Sequence, residues 1–219
     1  MSVGAVVFDF NGTLSDDEPI LCEIWQVLFA ERGVGLSREE YFGTYAGLAD
    51  FEIAERGLEV SGEELASVLA ERVARYRVQV ADGSSVGPQM RSAVQLAASR
   101  VPVAVVSGAA REEIETVLAA AGLRDAIAVV VAAEDVRAGK PDPEGFLQAA
   151  AALGVEPGEV VVFEDSEPGV NGAKAAGMRC VAVRGTAAPE RLAAAEELVD
   201  RIDAALVERL LKLDARASE

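Results

Sequence analysis

VVFDFNGT, residues 6–13, carries three apolar residues into a bare carboxylate, Asp9, and then into a small polar turn holding Asn11 and Gly12. A β-branched run that stops on an acid predicts a buried strand whose carboxyl end opens on a site. Outward from it, residues 101–106, 127–131, 160–163 and 180–183 repeat the pattern; with 3–8 they make five short apolar runs suited to parallel strands buried on both faces. Helical spacing of apolar residues fills the intervals over 90–99, 111–121, 143–153 and 170–176, where Gly122, Gly154 and Gly177 read as C-caps. This alternation predicts an α/β fold, a doubly wound parallel five-stranded sheet covered by helices on both faces.

The stretch 16–81 breaks the alternation. Helical patterns run over 19–32, 38–45, 51–58 and 62–80, with no strand between them. Ser37 and Ser61 read as N-caps, with Glu40 and Glu64 as capping-box partners. We therefore expect a core made of 1–15 and 82–219 and a helical cap at 16–81, hinged at 15–17 and 82–88. The second hinge, DGSSVGP, has a flexible linker's composition. Leu198 and Val199 read as a short edge strand, and a charged helix runs on to about Asp214.

Composition narrows the chemistry. The chain has 219 residues, 51% of them hydrophobic, a size suited to one domain or one domain with an insertion. No run of about 18 apolar residues occurs, so no membrane span is expected. The N-terminus enters a strand pattern without a basic region or cleavage site, so no signal peptide is expected either. Cys22 and Cys180 stand far apart in apolar segments and read as free thiols of a reducing compartment, the cytoplasm. A net charge of −17 argues against nucleic acid and anionic membrane as partners. With no histidine in the chain, Ser-His-Asp, Cys-His and histidine–zinc chemistry are excluded. What remains is carboxylates, Lys, Arg, hydroxyls and hard metals.

The polar residues at the predicted strand ends are the candidates: Asp9 and Asn11, then Ser107 and Gly108, then Glu134, Asp135 and Lys140, then Glu164 and Asp165. The usual strand order brings three carboxylates, a lysine and a serine around one point. Crowded carboxylates repel and raise one another's pKa, and a divalent hard cation such as Mg²⁺ resolves the repulsion. Lys140 adds a point positive charge, and Ser107-Gly108 opens a helix whose free N–H groups favour an anion. All three features point to phosphate, and a carboxylate can act as the nucleophile.

FDFNGTLSDDEP, VVSGAAR, GKPDPEGF and VFEDSEPGV together resemble, in order and spacing, the four motifs of the haloacid dehalogenase (HAD) superfamily. The helical insertion after the first motif is similar to the cap of the subfamily containing phosphoglycolate phosphatase and β-phosphoglucomutase. The resemblance covers nearly the whole chain and implies a Rossmann-like core. It implies that Asp9 is the nucleophile and a Mg²⁺ ligand, with the backbone carbonyl of Asn11, Asp165 and Glu164 completing the metal set. Ser107 and the Gly108 amide would hold the transferring phosphoryl group, Lys140 would neutralise charge, and Thr13 would bring a hydroxyl near the nucleophile. Arg111 is a further phosphate-binding candidate, with an ion pair to Glu115 as its structural alternative. Tyr45, Asp50 and Glu52, around the cap loop YAGLADFE, are candidates for substrate selection. Asp16, Asp17 and Glu18 read as hinge and helix-dipole residues.

Asn11 departs from the family pattern, which has Asp there as general acid and base. Asparagine neither gives nor takes a proton at ordinary pH. Either the substrate has a good leaving group, or Asp16, Asp17, Asp50 or Glu52 supplies the acid, or Asn11 is an engineered replacement of Asp, or the activity is weak. The mutases' cap histidine and basic residue are replaced by Leu21 and Ala46. The expected function is therefore Mg²⁺-dependent hydrolysis of a small phosphorylated metabolite, through an aspartyl phosphate, by a monomer or homodimer. A phosphoryl-transferring mutase and a weakly active or non-catalytic phosphometabolite-binding protein are the alternatives.

Overall fold

The computed structural model describes residues 3–215. It opens with β1 (Ala5–Phe8), followed by α1 (Glu18–Glu31), α2 (Arg38–Glu40), α3 (Asp50–Leu58), α4 (Gly62–Gln79) and α5 (Pro88–Ala98). Next come β2 (Val103–Val106), α6 (Arg111–Ala120), β3 (Val129–Val131), α7 (Glu144–Leu153) and β4 (Val160–Glu164). The chain ends in α8 (Glu167–Ala175), β5 (Arg179–Val183), β6 (Glu197–Val199) and α9 (Ala204–Ala215). Among the described residues, no helix is long and apolar enough to cross a membrane.

All strands are parallel, in the order β3-β2-β1-β4-β5-β6. The α/β, doubly wound reading holds; among the described residues the five-stranded sheet expected from the long apolar runs gains a sixth strand where Leu198 and Val199 read as a short edge strand. The additional edge strand β6 pairs with β5 through only three half-buried residues, too few to show a period. The third strand is also shorter than 127–131, because Ile127 still closes the 3₁₀ turn Arg124–Ala126 and pairing starts at Val129.

Burial on both faces explains why the strands are unbroken apolar runs. Val6 and Phe8 pack on one face with Val103, Val105, Val161 and Phe163; Ala5 and Val7 pack on the other with Ala104, Val106, Val160 and Val162. The Phe8 and Phe163 rings stack with centroids 5.1 Å apart beneath the site. Burying each such ring contributes about 1.5–3 kcal/mol. Helices α5, α6 and α9 cover the first face, and α7 and α8 the second.

The helices α1–α4 form a block above the strand ends. Its apolar side, including Leu21, Trp25, Leu28 and Phe29, joins the core of the first face through Phe10 and Leu14. Both chain crossings into the block touch: the Asp16 N–H donates to the Ser85 carbonyl at 2.8 Å, and the Ser15 hydroxyl donates to the Ser85 hydroxyl at 2.9 Å. The second crossing is not slack, despite its composition. Gly83 sits at φ +70°, where an added Cβ would lie 2.6 Å from the Ala120 carbonyl carbon. The Arg91 guanidinium also donates to the Gly83 and Val86 carbonyls. Ser37 caps its helix by accepting the Glu40 N–H, whereas the Ser61 side chain makes no such bond.

Candidate active site

Pairing of Phe8 with Val105 on one side and Phe163 on the other brings the ends of β1, β2 and β4 level. The side chains that follow are thus forced together. Lys140, from the loop before α7, donates to Glu164 Oε1 at 2.6 Å and to Asp9 Oδ1. Glu164 Oε2 accepts from the Asp165 N–H, the Ser166 N–H and the Ser166 hydroxyl, at 2.9, 3.0 and 2.9 Å. Both Glu164 oxygens are therefore engaged, and the residue is wholly buried. Two glycines make the crowding possible. A Cβ at Gly169 would fall 1.8 Å from Glu164 Oε1; one at Gly12, which has φ +74°, would fall 2.1 Å from Asp165 Oδ2.

Asp9, Glu164 and Asp165 each present an oxygen within 4.8 Å of the others. Burial raises the Asp9 carboxyl well above the ordinary range despite Lys140, with Glu164 and Asp165 adding to the rise. Burial, then the charge of Glu164, pushes Asp165 up to about 8. Burial opposes the Lys140 ammonium, but Asp9 and Glu164 outweigh it and hold its pKa above the normal lysine value. An all-oxygen donor set with this surplus of negative charge fits a hard divalent cation, whose charge would offset the repulsion.

A cavity of about 150 Å³ rises from these groups toward the helical block. Asp9, Asn11, Ser107, Gly108, Lys140 and Asp165 line its floor, and nothing lies within 4 Å of where a Cβ on Gly108 would stand. Glu18, Leu21, Tyr41, Asp50, Ile53 and Arg72 line its upper wall. A more apolar cavity of about 400 Å³, lined by Leu69, Val73, Val136 and Phe146, shares Asp50, Ser107, Gly108 and Lys140 with it.

Upper-wall charges are largely paired. Buried Arg72 of α4 bonds Glu113 of α6 through Nη1, and its Nε lies 3.1 Å from Asp50 Oδ2, an ion pair outside hydrogen-bond alignment. Burial, opposed by Arg72, lifts Glu113 to about 7. Glu18 Oε2 accepts the Tyr41 hydroxyl at 3.1 Å. Burial, followed by the nearby Asp17 charge, raises Glu18 to about 7. The Asn11 amide donates to Asp17 Oδ2 at 3.0 Å, and the Tyr76 hydroxyl donates to the same oxygen. Burial raises Asp17 as well, against the hydrogen bonds it accepts from Tyr76, Ser15, Asn11 and Gly12.

The structure brings Asp9, Asn11, Ser107, Gly108, Lys140, Asp50 and Asp165 to one cavity, with Glu164 beneath it. Three expected site residues lie elsewhere. Tyr45 ends a π-helical turn (Tyr41–Tyr45) that turns its ring into the apolar core against Phe29, at a centroid distance of 5.9 Å; Tyr41, at the start of that turn, reaches the cavity instead. Arg111 bonds Asp135 and, at 3.0 Å, the Val130 carbonyl, because α6 starts on the side of the sheet edge. Thr13 does not line the cavity; its hydroxyl donates to Asp165 Oδ1 at 3.0 Å. Sequence reasoning missed Glu18 and Arg72. The acid one residue before Pro19 gave the single available hint, since such a residue lies at the mouth of a helix facing the strand ends.

Residues 3–177 match the family described as haloacid dehalogenase-like hydrolase. The chain is 35% identical over 196 residues to a validoxylamine A 7'-phosphate phosphatase of Streptomyces hygroscopicus subsp. limoneus, covering 88% of this chain and 91% of that one. It is 32% identical over 181 residues to a fructose-1-phosphate phosphatase of Escherichia coli, covering 82% and 95%. Among solved structures, a mutant of CbbY from Rhodobacter sphaeroides in complex with xylulose-(1,5)bisphosphate superposes with a TM-score of 0.80 at 28% identity, covering 92% and 95%.

Proposed function

The chain belongs to the haloacid dehalogenase-like hydrolase family, and from that premise we propose that it is a Mg²⁺-dependent phosphatase of small phosphorylated sugars, working through a phosphorylated Asp9. One observation carries this reading: Asp9, Lys140 and Asp165 share a small cavity with the open Ser107-Gly108 turn. Asp9 attacks phosphorus, the bond from phosphorus to the sugar oxygen breaks, and the leaving alkoxide takes a proton from solvent or from a protonated carboxyl group of the cavity wall. Water then attacks the acyl phosphate, releasing inorganic phosphate and restoring the carboxylate. Lys140 neutralises charge between nucleophile and phosphoryl group, while Ser107 and the Gly108 N–H hold the equatorial oxygens. Asp9, Asp165 and the Asn11 carbonyl would hold Mg²⁺, which when bound offsets the charge developing on the phosphoryl oxygens. Glu164, both oxygens engaged, positions Lys140 and the Asp165 loop.

Asn11 supplies no proton. Asp17 sits on its amide but is sealed by Tyr76, and Glu52 is committed to the Ala49 N–H and Arg56. Glu18 and Asp50 are the carboxyl groups left with access to the cavity. The free buried thiols Cys22 and Cys180 suit a reducing compartment, and we place the protein in the cytoplasm.

The test is turnover of p-nitrophenyl phosphate with and without Mg²⁺, together with mass spectrometry of the enzyme quenched during turnover. Metal-dependent release with phosphate on Asp9 supports the proposal. Release that ignores chelation, or no release at all, defeats it.

A further inference from the structure

We propose that the cavity wall formed by Glu18 and Asp50 selects a leaving group that is a neutral or amine-bearing polyol and rejects one carrying a second phosphate or a carboxylate. This rests on the phosphatase reading above and deepens it. Phosphate at the floor must leave its alcohol pointing at the upper wall, because Asp9, Lys140 and Asp165 close the other end. The wall offers two carboxylates with unused oxygens. Glu18 spends Oε2 on Tyr41 and Asp50 spends Oδ2 on Arg72, while both residues line the cavity. Carboxylate oxygens accept from hydroxyls and ammonium groups and repel anions.

Cations that could reverse this preference are committed. Lys140 lies between Asp9 and Glu164, and Arg72 lies between Asp50 and Glu113. The larger cavity gives an anion no better route, since it too passes Asp50. Its remaining cation, Arg137, turns out to solvent and pairs with Glu144 at 3.3 Å. Among the described lining residues, then, the one exposed cation is Arg137, whose Nη atoms have no bonded partner, and it lines the larger cavity and not the one above Asp9. Leu21 and Ile53 complete the wall with apolar surface suited to the C–H face of a ring or chain. Glu18 and Asp50 are specificity-determining residues in this scheme, since they touch the leaving alcohol and not the reacting phosphorus.

The experiment compares kcat/KM for sorbitol 6-phosphate, glucosamine 6-phosphate, 2-phosphoglycolate and fructose 1,6-bisphosphate, with p-nitrophenyl phosphate as a reference. We expect the polyol and amino-sugar phosphates to exceed the carboxylate and bisphosphate substrates by at least about 30-fold, the scale on which a pocket's mismatched polar groups discriminate. In Glu18→Gln and Asp50→Asn, that ratio should fall by at least about tenfold. A merely structural role would move all substrates together. A preference for 2-phosphoglycolate or the bisphosphate, or a ratio untouched in both variants, overturns the inference while leaving the phosphatase reading intact if p-nitrophenyl phosphate is hydrolysed. Failure to hydrolyse any of the five overturns both.

Discussion

Two buried charge clusters flank the same cavity, and they behave differently. On the floor, Lys140 serves Asp9 and Glu164 while Asp165 has no cation of its own. On the upper wall, Arg72 serves Asp50 and Glu113, and among the described residues no third carboxylate pairs with it. The floor is built within the strand ends; the upper cluster ties α3 and α4 to α6 across the cleft. The floor's three carboxylates against one cation are costly to bury unless something positive arrives, whereas the wall's two carboxylates against one cation leave a smaller excess, eased by the raised pKa of Glu113. The floor is thus arranged to receive a cation and a phosphate, and the wall to hold a shape.

Asp9→Asn should break the comparison most completely. It removes the nucleophile, and turnover of p-nitrophenyl phosphate should fall by at least about 10⁴-fold; a loss below tenfold would show that the floor is not reactive. Arg72→Met should instead act on folding. Stranding Glu113 and Asp50 without a partner costs about 3–5 kcal/mol, read from urea midpoints. Adding Glu113→Gln should recover part of that loss, and a destabilisation below about 1 kcal/mol would make the wall triad ornamental.

Glu18→Gln sharpens the contrast through pH. The folded-state pKa of Glu18 is raised from 4.5 to about 7, so the folded protein holds that proton more tightly than the unfolded chain does. The resulting stabilisation is fully present below about pH 4.5 and is lost as pH rises through 7. Wild type should therefore lose up to about 3 kcal/mol relative to the Gln variant between pH 4.5 and 8. Equal slopes in denaturant titrations across that window would refute it. The smallest effect expected is a gain: Asn11→Asp should raise turnover of an alkyl phosphate at least about tenfold by supplying general acid–base help. Because that carboxylate would stand against Asp17, at the place where the amide now bonds at 3.0 Å, adding Asp17→Asn should raise it further. An unchanged rate in both would remove the proton-transfer account of position 11.

Much of this was legible in the chain itself. Strands buried on both faces must be continuous apolar runs, so β1, β2 and β4 and the acids at their ends stood out. The short, half-buried β6 showed only as the apolar pair Leu198 and Val199. Pairings over long separations were invisible: nothing local to Arg72 points to Glu113, and Arg111 could not be seen to meet Asp135 until the sheet edge was in place. Tyr45 misled because it was placed in the cap loop, whereas a π-helical turn closes the expected helix, packs that ring against Phe29 and leaves buried Tyr41 to line the cavity. Glu18 was assigned to its helix dipole, a fair local reading of an acid in a first turn. Only the fold reveals that this first turn overhangs Asp9. The steric roles of Gly12 and Gly169 likewise exist only once Asp165 and Glu164 press against them.

The contact between Asp16 and Ser85 has a consequence for how such a molecule can change. Since entry and exit of the intervening chain meet within one hydrogen bond, the separation an insert must span at that point is fixed and short. A foreign segment with adjoining ends could be spliced in at that point, leaving the phosphate-handling floor in place while exchanging the surface that judges the alcohol. New substrate ranges would then arise by transplanting an insert, with no need to rebuild the reactive centre.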